Sequence, residues 1–335
     1  MSDRPRVTLI IRAYNEEKHI GRLLAGVFIQ TLVDELEVIL VDSGSTDATV
    51  AIARRFPVKV VSIAPEDFSF GRSLNLGISH ARGEYIVLAS AHVYPVYADW
   101  LERLLEPFKD RTIALSYGKQ RGNHSTQFAE HQIFAAWFPD ESVERQNHPF
   151  CNNANAAIRR DLWEQHPYDE SLSGLEDLAW ASWAVEAGFT LAYVAEAEVV
   201  HVHEETPRQV FNRYRREAMA LKQIQRDSRF SIFNFMQLLL TNLANDFRFA
   251  LKAKLLRNHF WDIVWFRIMQ FSGTYRGFHY QGQVTKELLR TFYYPRTLTR
   301  TLNRSQREVQ AIDYHSIHTR EPAGDDQDSV PESRL

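Results

Sequence analysis

The chain has 335 residues, of which 44% are hydrophobic and 24% charged, and its formal net charge is -3. This composition is typical of an ordinary globular protein and excludes a disordered chain. The lone Cys151 excludes a disulfide framework and a cysteine-based zinc site, and it favours a reducing compartment. No long apolar run precedes the first charges, so we expect a cytoplasmic protein without a secretory signal.

Short β-branched runs alternate with helical patterns over the first part of the chain. They predict strands at 7–12, 36–41, 58–63, 85–90 and 112–117. This alternation favours an α/β fold whose mostly parallel sheet is covered by helices on both faces. Ligands of such sheets bind beyond the carboxyl ends of the strands, so the loops that follow these strands are the candidate site.

The loop VDSGSTDAT directly follows the second predicted strand. Asp42 ends that strand, Gly44 permits a tight turn, and Asp47 can cap the next helix. The backbone N–H groups of the loop would then face a polar ligand, although a plain capped turn has the same pattern. Neither G-x-G-x-x-G nor G-x-x-x-x-G-K-[ST] occurs, so a Rossmann dinucleotide site and a P-loop are not supported.

Beyond residue 205 the pattern becomes helical and basic. Residues 211–300 hold 16 Lys and Arg against 5 Asp and Glu. Polar residues at spacings of three or four predict one apolar helix with a narrow polar stripe, made of Asn234, Gln237, Thr241, Asn245, Arg248 and Lys252. It is too polar to span a bilayer. A peripheral contact with an anionic membrane, packing on the catalytic domain, and a homodimer interface all fit this region.

Four motifs, in this order and spacing, resemble the inverting family-2 glycosyltransferases with the GT-A fold. They are VTLIIRAYNEEKHIGRLLAGVFIQT, EVILVDSGSTDAT, FSFGRSLNLGISHARGEYIVLASAHVYP and LEDLAWASWAVEAGF. The version with FSFGRSLNLG is similar to bacterial rhamnosyltransferase-like members that build surface polysaccharides. The resemblance implies a catalytic domain over 1–210. Charge and composition predict a basic helical region over 211–318 and a disordered acidic tail over 319–335.

The resemblance also implies a pocket for a nucleotide-diphosphate sugar that carries UDP or dTDP. Tyr14 and Glu16 match the family's nucleoside contacts, and Asp42 matches the carboxylate that binds the base or the ribose. Arg72 and Asn75 match positions near the diphosphate and the sugar. The complete set of matching donor positions is Ala13, Tyr14, Glu16, Asp42, Gly44, Arg72, Asn75, Ser90, Ala91 and His92.

Family members usually end the strand at 85–90 with an Asp-x-Asp pair that holds Mg²⁺ or Mn²⁺. Ser90 and His92 stand at these two positions, so both carboxylates are missing. Three hypotheses follow: a histidine-assisted manganese site, a metal-free site in which His92 contacts the phosphate, or an inactive homologue. His201 and His203 share one face of a predicted strand and are candidate metal ligands with His92, although such pairs are often structural.

Glu176 and Asp177 begin a helical segment and resemble the family's Glu-Asp motif, in which the Asp is the catalytic base. An acidic pair at this place also complements the helix dipole without any catalytic role. Trp180 and Trp183 are candidate contacts for the acceptor, although aromatic residues at helical spacing are more often part of the core. The implied acceptor is a growing glycan or a lipid-linked sugar, and no nucleic acid is expected.

Two other enzyme classes are considered. An NDP-sugar nucleotidyltransferase would show a glycine-rich, basic loop after the first strand, whereas RAYNEE is acidic. A zinc hydrolase could use His92, His201 and His203, yet it has no need of the Asp42 loop.

Overall fold

A computed structural model describes residues 5–225, 227–279 and 309–317. The strands of this part form one sheet in the order β3-β2-β1-β4-β8-β6-β9-β5, with β7 paired to β9. They are β1 (Val7–Ala13), β2 (Leu36–Asp42), β3 (Lys59–Ser62), β4 (Tyr85–Ser90), β5 (Val93–Pro95), β6 (Ile113–Arg121), β7 (Val143–Gln146), β8 (Asn155–Arg159) and β9 (Thr190–His201).

The first four strands in the sheet order form its parallel half. β1 pairs in parallel with β2 and β4, and β2 pairs in parallel with β3, as the sequence predicts. β8 then enters antiparallel between β4 and β6, so the second half of the sheet is mixed. The sequence did not predict β5, β7 and β8, because they are short or lack a long β-branched run.

Helices cover both faces of the sheet, and the residues of β1 show why. Leu9 and Ile11 belong to one buried cluster and Ile10 to another, because successive side chains of a strand point to opposite faces. The helices are α1 (Ile20–Val27), α2 (Thr49–Ala53), α3 (Phe70–Ser79), α4 (Trp100–Leu105), α5 (Phe128–Trp137), α6 (Arg160–Gln165), α7 (Glu176–Glu186), α8 (Pro207–Ile224), α9 (Ile232–Lys252) and α10 (Leu256–Phe278).

The C-terminal helices pack directly on the α/β part. Phe266 of α10 and Tyr214 of α8 share a buried cluster with Leu178 of α7. The buried guanidinium of Arg267 lies 2.7 Å from Asp246 and donates to the backbone oxygen of Ala129 in α5 at 3.3 Å. One face of this helical region is therefore packed against α5 and α7 of the α/β part.

The predicted boundary at residue 210 needs correction. It falls inside α8, which begins at Pro207 with a capping box formed by Thr206 and Gln209. The helical region therefore starts at the Thr206 cap. Among the described residues, no helix combines the length and apolar character that a membrane span requires. The predicted acidic tail, 319–335, lies outside the described residues.

A segment near the C-terminus, residues 309–317, returns to the catalytic half and is not helical. Tyr314 donates to the backbone oxygen of Pro95 at 2.6 Å, and the Ile312 N–H donates to the oxygen of Val96 at 2.8 Å. The guanidinium of Arg22 lies 4.1 Å from the ring centroid of Tyr94 and 5.0 Å from that of Tyr314. This segment therefore braces β5, which directly follows the His92 turn.

Candidate active site

The carboxyl ends of β1, β2 and β4 meet at one edge of the sheet. The strand register pairs Ala13 with Asp42 and Arg12 with Ser90, so these predicted donor positions are neighbours. Ala13 and Ala91 are buried, whereas the ring of Tyr14 is 57% exposed at the same edge. An exposed aromatic ring beside buried strand ends is suited to stacking on a planar base.

The Asp42 loop is a well-ordered turn. The buried Asp42 carboxylate accepts from the N–H groups of Gly44 and Ser45, both at 3.2 Å. Gly44 has φ +85°, a conformation that glycine adopts without steric cost. The Thr46 N–H donates to Asn15 at 2.8 Å, which joins this loop to the one after β1. Asp42 therefore shapes the turn, whatever else it binds.

The three predicted metal ligands come together. His92, His201 and His203 each present a ring nitrogen, and these three atoms lie within 4.8 Å of one another. The ring centroids of His201 and His203 are 4.0 Å apart. Burial, with smaller contributions from His203 and His92, lowers the pKa of His201 and keeps its ring neutral. The residues fit a divalent cation, since three imidazole rings converge on one point and imidazole is a common metal ligand.

Glu16, a predicted nucleoside contact, interacts with His92 of the loop after β4. Its carboxylate lies 2.8 Å from Nδ1 of His92, so it holds the histidine of the neighbouring loop. This contact was not expected from the sequence, because the two residues are 76 positions apart.

The Glu-Asp pair begins α7 at the same edge of the sheet. Glu176 accepts from the guanidinium of Arg12 at 2.9 Å, and that guanidinium also donates to the Phe70 oxygen at 3.2 Å. The Asp177 carboxylate accepts from the N–H of Leu178 at 2.8 Å and of Asn153 at 3.1 Å. Arg12 therefore joins the ends of β1, α3 and α7.

The electrostatic setting of Asp177 favours its protonated form. Burial, reinforced by the negative charge of Glu176, raises the pKa of Asp177 to about 7. The hydrogen bonds from Asn153 and Leu178 and the charge of Arg12 oppose this shift without cancelling it. An acid whose pKa lies near neutrality can both accept and release a proton at physiological pH.

The backbone around this pair is unusual. Leu175, the residue before the pair, has φ +56°, which is rare for a leucine and costs energy. Asn155 pairs with Ala89 in antiparallel register, so Asn153 lies past the carboxyl end of β4, towards His92. The Asp177 carboxylate is consequently held at the edge of the sheet that carries the donor positions.

Arg72 and Asn75 on α3 are placed differently from the expectation. Arg72 is exposed and pairs with Asp67 at 3.2 Å. The Asn75 amide donates to the Tyr168 oxygen and to Glu170, and its carbonyl accepts from Trp163 and from the Tyr168 N–H. These four bonds use the full capacity of the amide, so this arrangement favours a structural role for Asn75.

The two predicted acceptor contacts, Trp180 and Trp183, are engaged with other parts of the protein. Trp180 is 1% exposed and donates to the backbone oxygen of His166 at 2.7 Å, so it is a core residue. Trp183 is partly buried and stacks on the ring of His166 with centroids 4.4 Å apart. Neither indole offers an open face comparable to that of Tyr14.

Several residues of the site were missed by the sequence analysis. Arg12 is a charged residue inside an otherwise apolar strand, VTLIIRA, and this contrast could have marked it. Gln120 and Glu130, which contact His201 and His203, carry no comparable signal. Their roles depend on strand and helix packing that the sequence does not display.

Comparisons with known proteins identify the family and the fold. A model of the family described as Glycosyl transferase family 2 matches residues 8–166. The O-antigen chain rhamnosyltransferase WbaN of Salmonella anatum is 28% identical over 221 residues, 63% of this chain and 70% of that protein. Glycosyltransferase AglE of Haloferax volcanii is 28% identical over 212 residues, 61% of this chain and 68% of that protein.

A solved structure shares the fold. The mannosyltransferase PcManGT from Pyrobaculum calidifontis, solved with GDP-Man and Mn²⁺, covers 82% of this chain and 88% of its own. The TM-score is 0.53 and the sequence identity 22%. The predicted fold and enzyme class are confirmed: residues 8–166 form a Glycosyl transferase family 2 domain, and the chain is a glycosyltransferase with the GT-A fold.

Proposed function

We propose that this enzyme transfers a sugar, with inversion, from a nucleotide-diphosphate sugar to a hydroxyl group of a growing glycan or lipid-linked acceptor in surface polysaccharide synthesis. The observation that carries the proposal is the position of Asp177, a carboxylate of raised pKa, at the edge where the Asp42 loop and three histidines converge. The named rhamnosyltransferase relative supports the polysaccharide context.

Asp177 acts as the general base. Inversion in one step requires that a base take the proton of the acceptor hydroxyl while its oxygen attacks the anomeric carbon opposite the leaving diphosphate. Asp177 takes that proton, and Glu176 accepts a hydrogen bond from the guanidinium of Arg12, 2.9 Å away. The Glu176 charge keeps the basicity of Asp177 high, because a second negative charge nearby favours proton uptake.

The donor binds beyond the ends of β1, β2 and β4. Tyr14 stacks on the base, and the Asp42 loop binds the nucleoside. His92, His201 and His203 would hold a divalent cation, which when bound supplies positive charge to the leaving diphosphate. UDP and dTDP sugars are the donors that we infer from the family resemblance.

The experiment is a screen of UDP-, dTDP- and GDP-sugars for slow donor hydrolysis, followed by NMR of the anomeric proton in the transferred product. We expect one nucleotide class to be hydrolysed and to raise the melting temperature, and we expect the anomeric configuration of the donor to be inverted. Retention of configuration would contradict the role given to Asp177. Absence of any nucleotide-dependent shift would contradict the donor site.

We infer in addition that the α9–α10 turn contacts an anionic membrane. Leu251 and Trp261 are 66% and 75% exposed, and three exposed cations, Lys252, Lys254 and Arg257, lie between them. No acidic residue occurs from 247 to 261. Exposed apolar side chains that alternate with cations suit a surface of acidic lipid headgroups. This turn would bring the site to a lipid-linked acceptor.

Vesicle co-sedimentation tests this contact. The full chain should bind vesicles in which about a third of the lipid headgroups are anionic. Added salt should release it, because the electrostatic attraction is screened over about 10 Å at 0.1 M. Trp261→Ser should weaken binding, whereas Val143→Ser, a matched change at an exposed residue of the catalytic half, should not. Equal binding by both variants would contradict the inference.

Helix α9, which leads into this turn, also exposes Phe233, Met236 and Leu240 in its first half. Light scattering should therefore accompany the vesicle assay. A stable dimer that fails to bind vesicles would assign the apolar surface of α9 to a second copy of the chain.

A further inference from the structure

We propose that His92, His201 and His203 form a three-imidazole site for a borderline transition-metal cation of the zinc and cobalt class, and that it discriminates against Mg²⁺. We propose further that Glu16, Gln120 and Glu130 are positioning residues, each of which orients one of the three rings. The inference concerns the same site as the proposed function, but cation binding is measurable without sugar transfer.

The backbone brings the three histidines to one place. His92 follows β4, whereas His201 ends β9, and the register of β5 with β9 pairs Val93 with His201. The Val202 N–H donates to the His92 oxygen at 3.0 Å, which fixes the two segments side by side. His203, two residues after His201, points to the same side, since alternate residues of an extended chain share a face.

The outer contacts fix which nitrogen of each ring faces inward. Nδ1 of His92 lies 2.8 Å from Glu16, and Nδ1 of His203 lies 2.7 Å from Glu130. A carboxylate only accepts, so each of these Nδ1 atoms donates its hydrogen, and in the neutral form of each ring the lone pair lies on Nε2. A metal-binding histidine typically donates its other ring N–H to such an oxygen.

His201 supplies an independent observation. Its Nδ1 lies 2.7 Å from Oε1 of Gln120, and its Nε2 is buried without a hydrogen-bond partner in the described part of the chain. A buried polar atom that lacks a partner costs about 1–3 kcal/mol. A cation bound by this nitrogen would satisfy it, and Gln120 would keep the ring in the required tautomer.

A second acidic cluster beside the site is excluded as the cation site. Glu130, His203 and Glu205 also converge, but the guanidinium of Arg213 lies 2.7 Å from Glu130 and 2.6 Å from Glu205. The positive charge of Arg213 already fills that cluster. Glu130 is thereby held as a partner of His203.

The ligand type determines the preferred cation. Mg²⁺ requires oxygen ligands in near-ideal octahedral geometry, whereas imidazole suits zinc, cobalt and similar ions. Three protein nitrogens leave further positions of a transition metal open, as in catalytic zinc sites. Diphosphate oxygens of the proposed donor are chemically suited to those positions.

The experiment uses the purified full chain after removal of metals by a chelator. Titration with Co²⁺ should give a visible ligand-field absorption that saturates at one ion per chain. Zn²⁺ should displace the Co²⁺, whereas Mg²⁺ in large excess should not. His201→Gln should abolish the absorption, and His80→Gln, at an exposed histidine outside the cluster, should leave it unchanged.

The positioning residues are tested by the same titration. Gln120→Leu removes the acceptor for His201 and should weaken Co²⁺ binding about tenfold or more. Gln120→Glu keeps an acceptor in place and should retain the affinity, which separates ring orientation from packing.

Absence of the absorption in the wild-type chain, or displacement of Co²⁺ by equimolar Mg²⁺, would overturn the metal site. Equal Co²⁺ affinity in Gln120→Leu would overturn the positioning role. Binding of nucleotide is measured in parallel on the chelated and on the Co²⁺-loaded protein. If Co²⁺ binds but no nucleotide does, the proposed function fails while this inference stands.

Discussion

Two acids of the candidate site, the partly buried Asp177 and the buried Glu130, have opposite electrostatics. Burial and the neighbouring charge of Glu176 raise the pKa of Asp177. Burial would also raise the pKa of Glu130, but the charge of Arg213 and the contact with His203 outweigh it and hold that pKa well below its usual range. The difference lies in the nearest cation, because Arg12 binds Glu176 and leaves Asp177 with backbone N–H groups alone.

This contrast separates Asp177, which can exchange a proton near neutral pH, from Glu130, whose charge does not change in that range. A carboxylate that is close to half-protonated at neutral pH can take a proton during a reaction. A carboxylate bound by a guanidinium and an imidazole remains charged and can only orient its partners. Substitutions at the two acids should therefore affect different properties.

The largest expected effect is on turnover in Asp177→Asn. Loss of the proton acceptor should lower kcat by about 10²–10⁴-fold, because this is the usual contribution of a general base. Nucleotide affinity should be unchanged, since the donor pocket is intact. Steady-state kinetics and calorimetry with UDP or dTDP measure the two quantities, and Asp161→Asn is a matched surface control. Near-normal kcat would remove the contrast between the two acids.

Glu130→Gln should instead destabilise the fold. Arg213 would keep only Glu205 as a carboxylate partner, and an underpaired buried charge costs about 3 kcal/mol. Because the folded pKa of Glu130 is depressed, its contribution is present above about pH 4.5 and is lost as pH falls below that value. Urea unfolding at pH 7 and pH 4 should show a smaller penalty at the lower pH. A penalty that grows on acidification would contradict the assignment.

Asp42 provides a third case, because backbone N–H groups rather than a cation hold its charge. Asp42→Ala should weaken binding of both the free nucleotide and the nucleotide sugar by about 1.5–3 kcal/mol, the range for a hydrogen bond to a charged group. Calorimetry with both ligands distinguishes a nucleoside contact from a sugar contact. Unchanged affinity for both would assign Asp42 to turn structure alone.

The smallest expected effect is a gain of stability in Asp177→Asn. The raised pKa means that the wild-type chain loses stability as pH rises from about 4 to about 7, since Asp177 must ionise in an unfavourable place. The variant does not carry this penalty, so it should be more stable by on the order of 1 kcal/mol at pH 8. Melting curves at pH 4.5 and pH 8 should show the gain only at the higher pH.

The sequence predicted the parallel half of the sheet well. Three of its strands, β1, β2 and β4, are largely buried on both faces and therefore appear as continuous apolar runs, such as VTLIIR for β1. The antiparallel strand β8 has no such run. Its five residues, NAAIR, include two alanines and one asparagine, and isoleucine is the one β-branched residue. Its position between β4 and β6 depends on long-range pairing that local patterns do not encode.

The three histidines that the sequence grouped as candidate ligands do lie together. For His201 and His203 the two-residue spacing explains this, because it places both side chains on one side of the strand. It could not show that Trp180 is buried or that the Asn75 amide is saturated. Burial and hydrogen-bond saturation arise from packing between distant segments. Residues of the site that depend on one strand are thus easier to predict than those that depend on several elements.

The segment 309–317 has a consequence for synthesis of the chain on the ribosome. Tyr314 contacts Pro95, 219 residues earlier, and lies against Gly26, where an added Cβ would meet its ring. The α/β half therefore cannot complete this contact until residue 314 has emerged from the ribosome. Until then the Arg22 side chain has Tyr94 as a ring partner but not Tyr314. The histidine turn that precedes β5 should consequently gain its final rigidity only after the segment 309–317 has been synthesised.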